Sequence, residues 1–131
     1  MAGYLFTNSM LMMEQAMRFQ WTKQNVINDN IINAETPNYK VKYVTFEEEL
    51  DRSIRLALRN SDRRASSVRS VINRSRPVVH VAENESMRMD DNGVNVTEQE
   101  TEATRNALQM QYTLDVINRE LTGLRSLIKG Q

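Results

Sequence analysis

From residue 103 to residue 128 an apolar side chain stands at each position of an alternating 3–4 spacing: Ala103, Ala107, Met110, Leu114, Ile117, Leu121, Leu124 and Ile128. That spacing lines residues up on one stripe of a helix, the seam of a coiled coil. Eight matches in eight are not what chance delivers in a chain that is 40% apolar. The segment is therefore constrained to be a long helix with a face that needs a partner. Near the other end, positions 10, 13, 17, 20, 24, 27, 31 and 34 follow the same spacing. Met10, Met13, Met17, Ile27, Ile31 and Ala34 are apolar there, and Gln20 and Gln24 interrupt. Polar residues inside a seam weaken it and select register or partner. The two patterns, residues 9–35 and 97–129, predict helices of about 40 to 50 Å at ~1.5 Å per residue. Lone helices gain little stability in water, so these stripes are expected to order by packing on each other or on neighbours. Burial at ~25 cal/mol per Å² would favour that packing, against the entropy of ordering two long segments.

Between the helices lies N-I-I-N-A-E-T-P-N-Y-K, residues 30–40. Thr36 precedes Pro37, which pushes its backbone out of the helical region, so the first helix is expected to stop near Ala34 or Glu35. Asn30 and Asn33 are three apart on the last turn, where short amides can satisfy carbonyls that the helix end leaves unpaired. Asn38 enters the left-handed region more easily than most residues, which suits a turn after proline. Tyr39, Val41 and Tyr43 then alternate with Lys40 and Lys42, so the chain is expected to leave the turn extended. Physics alone reads the segment as a helix stop followed by a short strand.

The same residues resemble the N-I-A-N-A-x-T-P-G-Y-K signature of the bacterial flagellar axial proteins, the family of rod, hook and hook-associated subunits. Asn30, Ile31, Asn33, Ala34, Thr36, Pro37, Tyr39 and Lys40 match it directly, whereas Ile32, Glu35 and Asn38 depart from it. Three further stretches are similar to the B-type proximal-rod branch of that family. They are Phe46-Glu47-Glu48-Glu49-Leu50, the D-D-N-G-V-N-V run at residues 90–96, and the T-G-L-R-S-L-I close at residues 122–128. The resemblance implies a mainly α chain whose N- and C-terminal helices pair as a coiled-coil-like bundle and stack with other subunits into a tubular rod. It implies self-association and contact with other rod subunits and with basal-body and export-gate proteins. It also implies a place in the basal body outside the cytoplasmic membrane, reached through the flagellar type III apparatus without a cleaved signal.

At 131 residues, with four glycines and 6% aromatics, the chain fits one mainly helical unit. The expected organisation is an N-terminal helix over residues 1–35, an irregular middle over 36–96 and a C-terminal helix over 97–131. Formal charge is zero but uneven. Residues 50–79 carry eight arginines against Asp51 and Asp62, a net of +6, and residues 80–102 carry seven acids against Arg88, a net of −6. Such blocks can pair within or between subunits, or stand as solvated loops of opposite sign. With no cysteine, disulfides and cysteine-ligated metals are excluded. No apolar run is long enough to span a bilayer. The first basic residue is Arg18, so no basic n-region of a secretory signal precedes an apolar core.

In the middle, Thr45 and Glu48 fit a capping box, with Glu47, Glu48 and Glu49 at the positive end of a short helix reaching about Leu58. Residues 61–75, rich in serine and arginine, are expected to be a mobile loop. Residues 78–81 and 94–96 are read as short extended pieces. Asn95 or Thr97 is the expected cap of the last helix, with Glu98 or Glu100 three residues on.

Little in the chain suggests chemistry. His80, the single histidine, has no cysteine or serine partner at an informative spacing. Three consecutive glutamates on a helix do not converge on a metal. Isolated glycines make no phosphate loop. Arg63, Arg64, Arg69, Arg74 and Arg76 invite a nucleic-acid reading, which neutral net charge, the adjacent acidic block and the lack of interleaved aromatics oppose. Eight methionines fit adaptable helix packing. The expected function is a structural rod subunit with no cofactor, no metal, no small-molecule substrate and no catalysis. The alternative is a helical adaptor that binds a partner through its C-terminal seam.

Overall fold

The computed structural model describes residues 7–59, 65–83 and 93–130. Two long helices dominate it. Helix α1, Asn8–Ile32, is opened by Thr7, whose hydroxyl accepts the backbone N–H of Met10 at 3.2 Å, a standard way to satisfy one of the unpaired donors of a first turn. It ends two residues before the expected stop. Asn33 caps it, donating both its backbone N–H (3.1 Å) and its side-chain amide (2.8 Å) to the carbonyl of Asp29.

After Asn33 the chain turns twice. Thr36 N–H donates to Asn33 at 3.0 Å and Tyr39 N–H to Thr36 at 3.3 Å. Pro37 thus occupies the second position of a four-residue turn and Asn38 the third, where it takes φ +59°. Proline followed by a left-handed residue is the type II arrangement, and the expected conformation of Asn38 is the one observed.

The turn delivers strand β1, Lys42–Thr45, which later pairs with strand β2, Val78–Val81, as a two-stranded antiparallel sheet. Lys42 stands opposite Val81, and Thr45 opposite Val78. Between the strands run two helices, α2 (Glu47–Arg59) and α3 (Ala65–Arg74). A two-stranded sheet is marginal by itself, and here it is fastened to the C-terminal half of α1. The helix pair forms the hydrophobic core with the N-terminal half of α1. Phe46, Leu50 and Ile72 are buried against Leu11, Met12, Phe19, Ile54 and Val68, and the rings of Phe19 and Phe46 stack with centroids 5.7 Å apart. Helix α4, Val96–Lys129, then runs back along α1. Asn95 caps it, accepting from Glu98 N–H at 3.3 Å, and Gly130 closes it in the left-handed region.

Three local expectations are corrected. Ala65–Arg74 is a helix, not a loop; Val68, Val71 and Ile72 share one of its faces, and Ile72 is among the most buried residues described. Residues 60–64 of that expected loop lie outside the described residues. Thr45 does not act as a capping-box residue in the expected way. Its hydroxyl lies 2.7 Å from Nε2 of His80 on the facing strand. Residues 93–95 lead directly into α4, so Val96 is helical and the second extended piece is absent there. The D-D-N portion at residues 90–92 lies outside the described residues. No described helix is long and apolar enough to cross a membrane.

Candidate assembly interface

Helices α1 and α4 are antiparallel, because contacts pair rising α1 numbers with falling α4 numbers: Gln20 with Thr113, Lys23 with Glu102, Asn30 with Gln99. The fully buried residues of α4 in this contact are polar. Asn106, fully buried, donates to the Gln20 carbonyl at 2.9 Å and to Gln24 Oε1 at 3.0 Å. Gln20 Nε2 donates to the Thr113 hydroxyl at 3.0 Å. The buried residues of α4 are Gln99, Asn106 and Thr113, spaced by seven, so they form one line of a coiled-coil interface. In this contact Gln20 Oε1 and Asn106 Oδ1 are buried with no hydrogen-bond partner among the described residues. Each such oxygen costs roughly 1–3 kcal/mol of desolvation, so the contact is specific but not strong.

Between the Asn106–Gln24 and Asn30–Gln99 contacts, Lys23 and Glu102 form an ion pair at 2.9 Å. The hydrogen bond from the Lys23 ammonium holds the Glu102 carboxyl below the usual carboxylate range. Partial burial opposes the shift, while the charges of Lys23 and Arg105 reinforce it.

Asn30 is the junction of the motif. Its side-chain amide donates to the Lys42 carbonyl at 2.8 Å and to Gln99 Oε1 at 2.9 Å. Its carbonyl oxygen accepts the Lys42 N–H at 3.0 Å and the Tyr39 hydroxyl at 3.3 Å. Asn33 serves the end of α1 as expected, but Asn30 does not. It ties α1, the turn, β1 and α4 together, and is 1% exposed. Ala34 is buried and Ile31 partly buried, while Thr36, Pro37 and Lys40 face outward. Lys40 donates to the Glu83 carbonyl at 2.8 Å, next to the sheet.

The seam residues read from sequence divide by side. On α1, Met10 and Ile27 are buried, and Met13 and Met17 partly so. On α4, Ala103, Met110, Ile117 and Leu124 are partly buried, whereas Ala107, Leu114, Leu121 and Ile128 are exposed. The shared residues flank the α1 contact. The exposed four form a second line on the other side, and Leu114 and Ile128 keep 49% and 72% of their surface in water. Helix α4 therefore has two seams, a polar one covered by α1 and an apolar one left bare. Sequence reasoning missed the polar line; a heptad of uncharged polar residues at 99, 106 and 113, facing Asn30, Gln24 and Gln20, was the available signal.

A groove of about 700 Å³ between α1 and α4 reaches the bare line at Leu121; it is lined by Met10, Met13, Met17, Trp21, Ile117 and Leu121. Glu120 stands on its rim, and Arg76 and Pro77 close one side. The visible ion pairs of the charged blocks are mostly local, Arg52 with Glu49 and Arg55 with Asp51 on α2.

No protein-family model matches the chain. Whole-length relatives do. The chain is 31% identical over 118 residues to the flagellar basal body rod protein FlgB of Cereibacter sphaeroides, covering 89% of this chain and 91% of that one. It is 30% identical over 127 residues to the protein of the same name from Bacillus subtilis, covering 96% and 97%. To that of Borrelia hermsii it is 59% identical over 32 residues, 24% of each chain.

Proposed function

The chain belongs to the family of flagellar basal body rod proteins FlgB, and from that premise we propose how such a structural subunit builds a shaft. Each chain folds through its polar α1–α4 seam and keeps its apolar line on α4 for neighbours. Leu114, Leu121 and Ile128 then become buried only in the assembled rod, together with Met13 and Met17 at the groove. Contacts of this kind, made to copies of itself and to other rod and basal-body proteins, would stack subunits into a tube. Torque would pass through many such contacts in parallel. The protein acts by position and stiffness, without catalysis, outside the cytoplasmic membrane.

The observation that carries this reading is the bare apolar line of α4. A chain meant to act alone would turn its most regular apolar seam inward, because ~25 cal/mol per Å² is gained by doing so. Here the fully buried line is Gln99, Asn106 and Thr113, and half of the apolar seam, Ala107, Leu114, Leu121 and Ile128, is outside. The test is to isolate basal bodies from the source cell and locate the chain by immunoblot and cryo-EM. Density for α1 and α4 in the rod, with Leu114 and Leu121 against a neighbour, is the expected result. Basal bodies that lack the chain would reject it.

A further inference from the structure

The apolar surface of α4 is barest at its end, where Leu127 is 78% and Ile128 72% exposed. The level of Gln20 against Thr113 puts Met10 about level with Gly123, since the helices are antiparallel. The last turn of α4 therefore runs past the start of α1. Its apolar pair is flanked by Arg125 and Lys129, and residues 121–131 contain no acid. The groove begins one turn earlier on the same helix, at Ile117 and Leu121. A rigid helix cannot bend its own end back into a groove that it lines, so the two features meet only between molecules.

We propose, resting on the rod-subunit reading, that this groove receives the C-terminal end of α4, centred on Leu127 and Ile128, from a second copy of the chain. A volume of about 700 Å³ accommodates the side chains of one helical turn. Methionines at positions 10, 13 and 17 supply adaptable walls. Charge selects the occupant. Glu14 on the rim is already paired with Arg18 at 2.9 Å, whereas Glu120 has no ion pair among the described residues. It faces an incoming helix whose own cations stand two residues before Leu127 and one after Ile128. Glu120 of one copy pairs with Arg125 of the next. Groove and plug lie at different places on the chain, so the contact is heterologous and propagates from copy to copy without closing.

The chain has no cysteine, which makes the test direct. Met13→Cys and Ile128→Cys are introduced together, and isolated basal bodies and concentrated protein are oxidised. The expected result is a ladder of disulfide-linked species longer than dimers, which neither single variant can give. Basal bodies that contain the chain but yield no link, or only a closed dimer, overturn the plug and leave the rod-subunit reading intact. Basal bodies that lack even the unsubstituted chain overturn both. As a second measurement, Glu120→Arg and Arg125→Glu should each cut the linked yield about tenfold or more. The double reversal should restore it. A double reversal no better than either single change would also overturn the proposal.

Discussion

The side-chain amide of Asn30 donates to Gln99 at 2.9 Å across 69 residues of sequence, fastening the last turn of α1 to the first turn of α4. The same side chain holds both backbone groups of Lys42, so one carboxamide sets where two helices and a strand meet. Replacing it should be felt globally. Asn30→Leu keeps the number of side-chain heavy atoms and their branching, but leaves the Lys42 N–H and carbonyl and Gln99 Oε1 without these bonds. We expect a loss of about 3 kcal/mol in urea unfolding of the purified protein. A loss below about 1 kcal/mol would mean that these bonds are readily replaced.

The turn is the second place where one residue decides geometry. Asn38 sits at φ +59°, where glycine is at ease and a β-branched side chain is not. Asn38→Gly should therefore fold and swim as the parent does. Asn38→Val should lose about 1–2 kcal/mol, and Pro37→Ala should loosen the same turn. Soft-agar swimming, read beside the amount of protein exported, checks the order. A normal Val variant beside a defective Gly variant would refute a backbone role.

Acid should weaken the α1–α4 seam at its ion pair. The carboxyl of Glu102 titrates below its ordinary 4.5 in the folded chain. Its ionised form is thus favoured by folding, and the stabilisation is complete above about 4.5 and lost as pH falls through the lower folded value. Lys23→Met removes the principal cause. Compared with the parent, that variant should be less stable at pH 7 and should show a smaller further loss between pH 5 and 3. Parallel stability curves for the two proteins over that interval would count against the pair.

The bare line of α4 makes stability and assembly separable. Leu114 and Leu121 are 49% and 36% exposed in the single chain. Leu114→Asp should accordingly change its unfolding free energy by no more than about 0.5–1 kcal/mol. The same charge placed in a closed subunit contact costs several times more. Cells carrying Leu114→Asp or Leu121→Asp should make the protein, leave it out of isolated basal bodies and fail to swim. Full motility with both would show that this line touches nothing essential.

Much of this architecture was legible in the residues. The apolar periodicities marked both long helices, Thr36-Pro37 marked the end of the first, and Asn38 marked the left-handed turn. What periodicity could not show was which side of α4 faces α1. Scoring apolar matches favours Leu114, Leu121 and Ile128, yet the fold turns Gln99, Asn106 and Thr113 inward, because Gln20, Gln24 and Asn30 offer them matched partners. Pairing chemistry outweighed hydrophobic count there. Helix α3 was hidden differently. Its arginines and serines resemble a loop, and only Val68, Val71 and Ile72, spaced by three and one, mark a buried face. The role of Asn30 depends on Lys42 and Gln99, which no local pattern brings together.

The cross-links between α1 and α4 run sideways from one rod-like segment to another: Gln20 to Thr113, Asn106 to Gln24, Lys23 to Glu102 and Asn30 to Gln99. A pull along the axis of either helix would displace all of them together, in shear. Peeling the helices apart from one end would instead break them one after another. The same few bonds therefore resist sliding far better than they resist separation, so the seam is stiff along the direction of the helices while remaining easy to open from its ends.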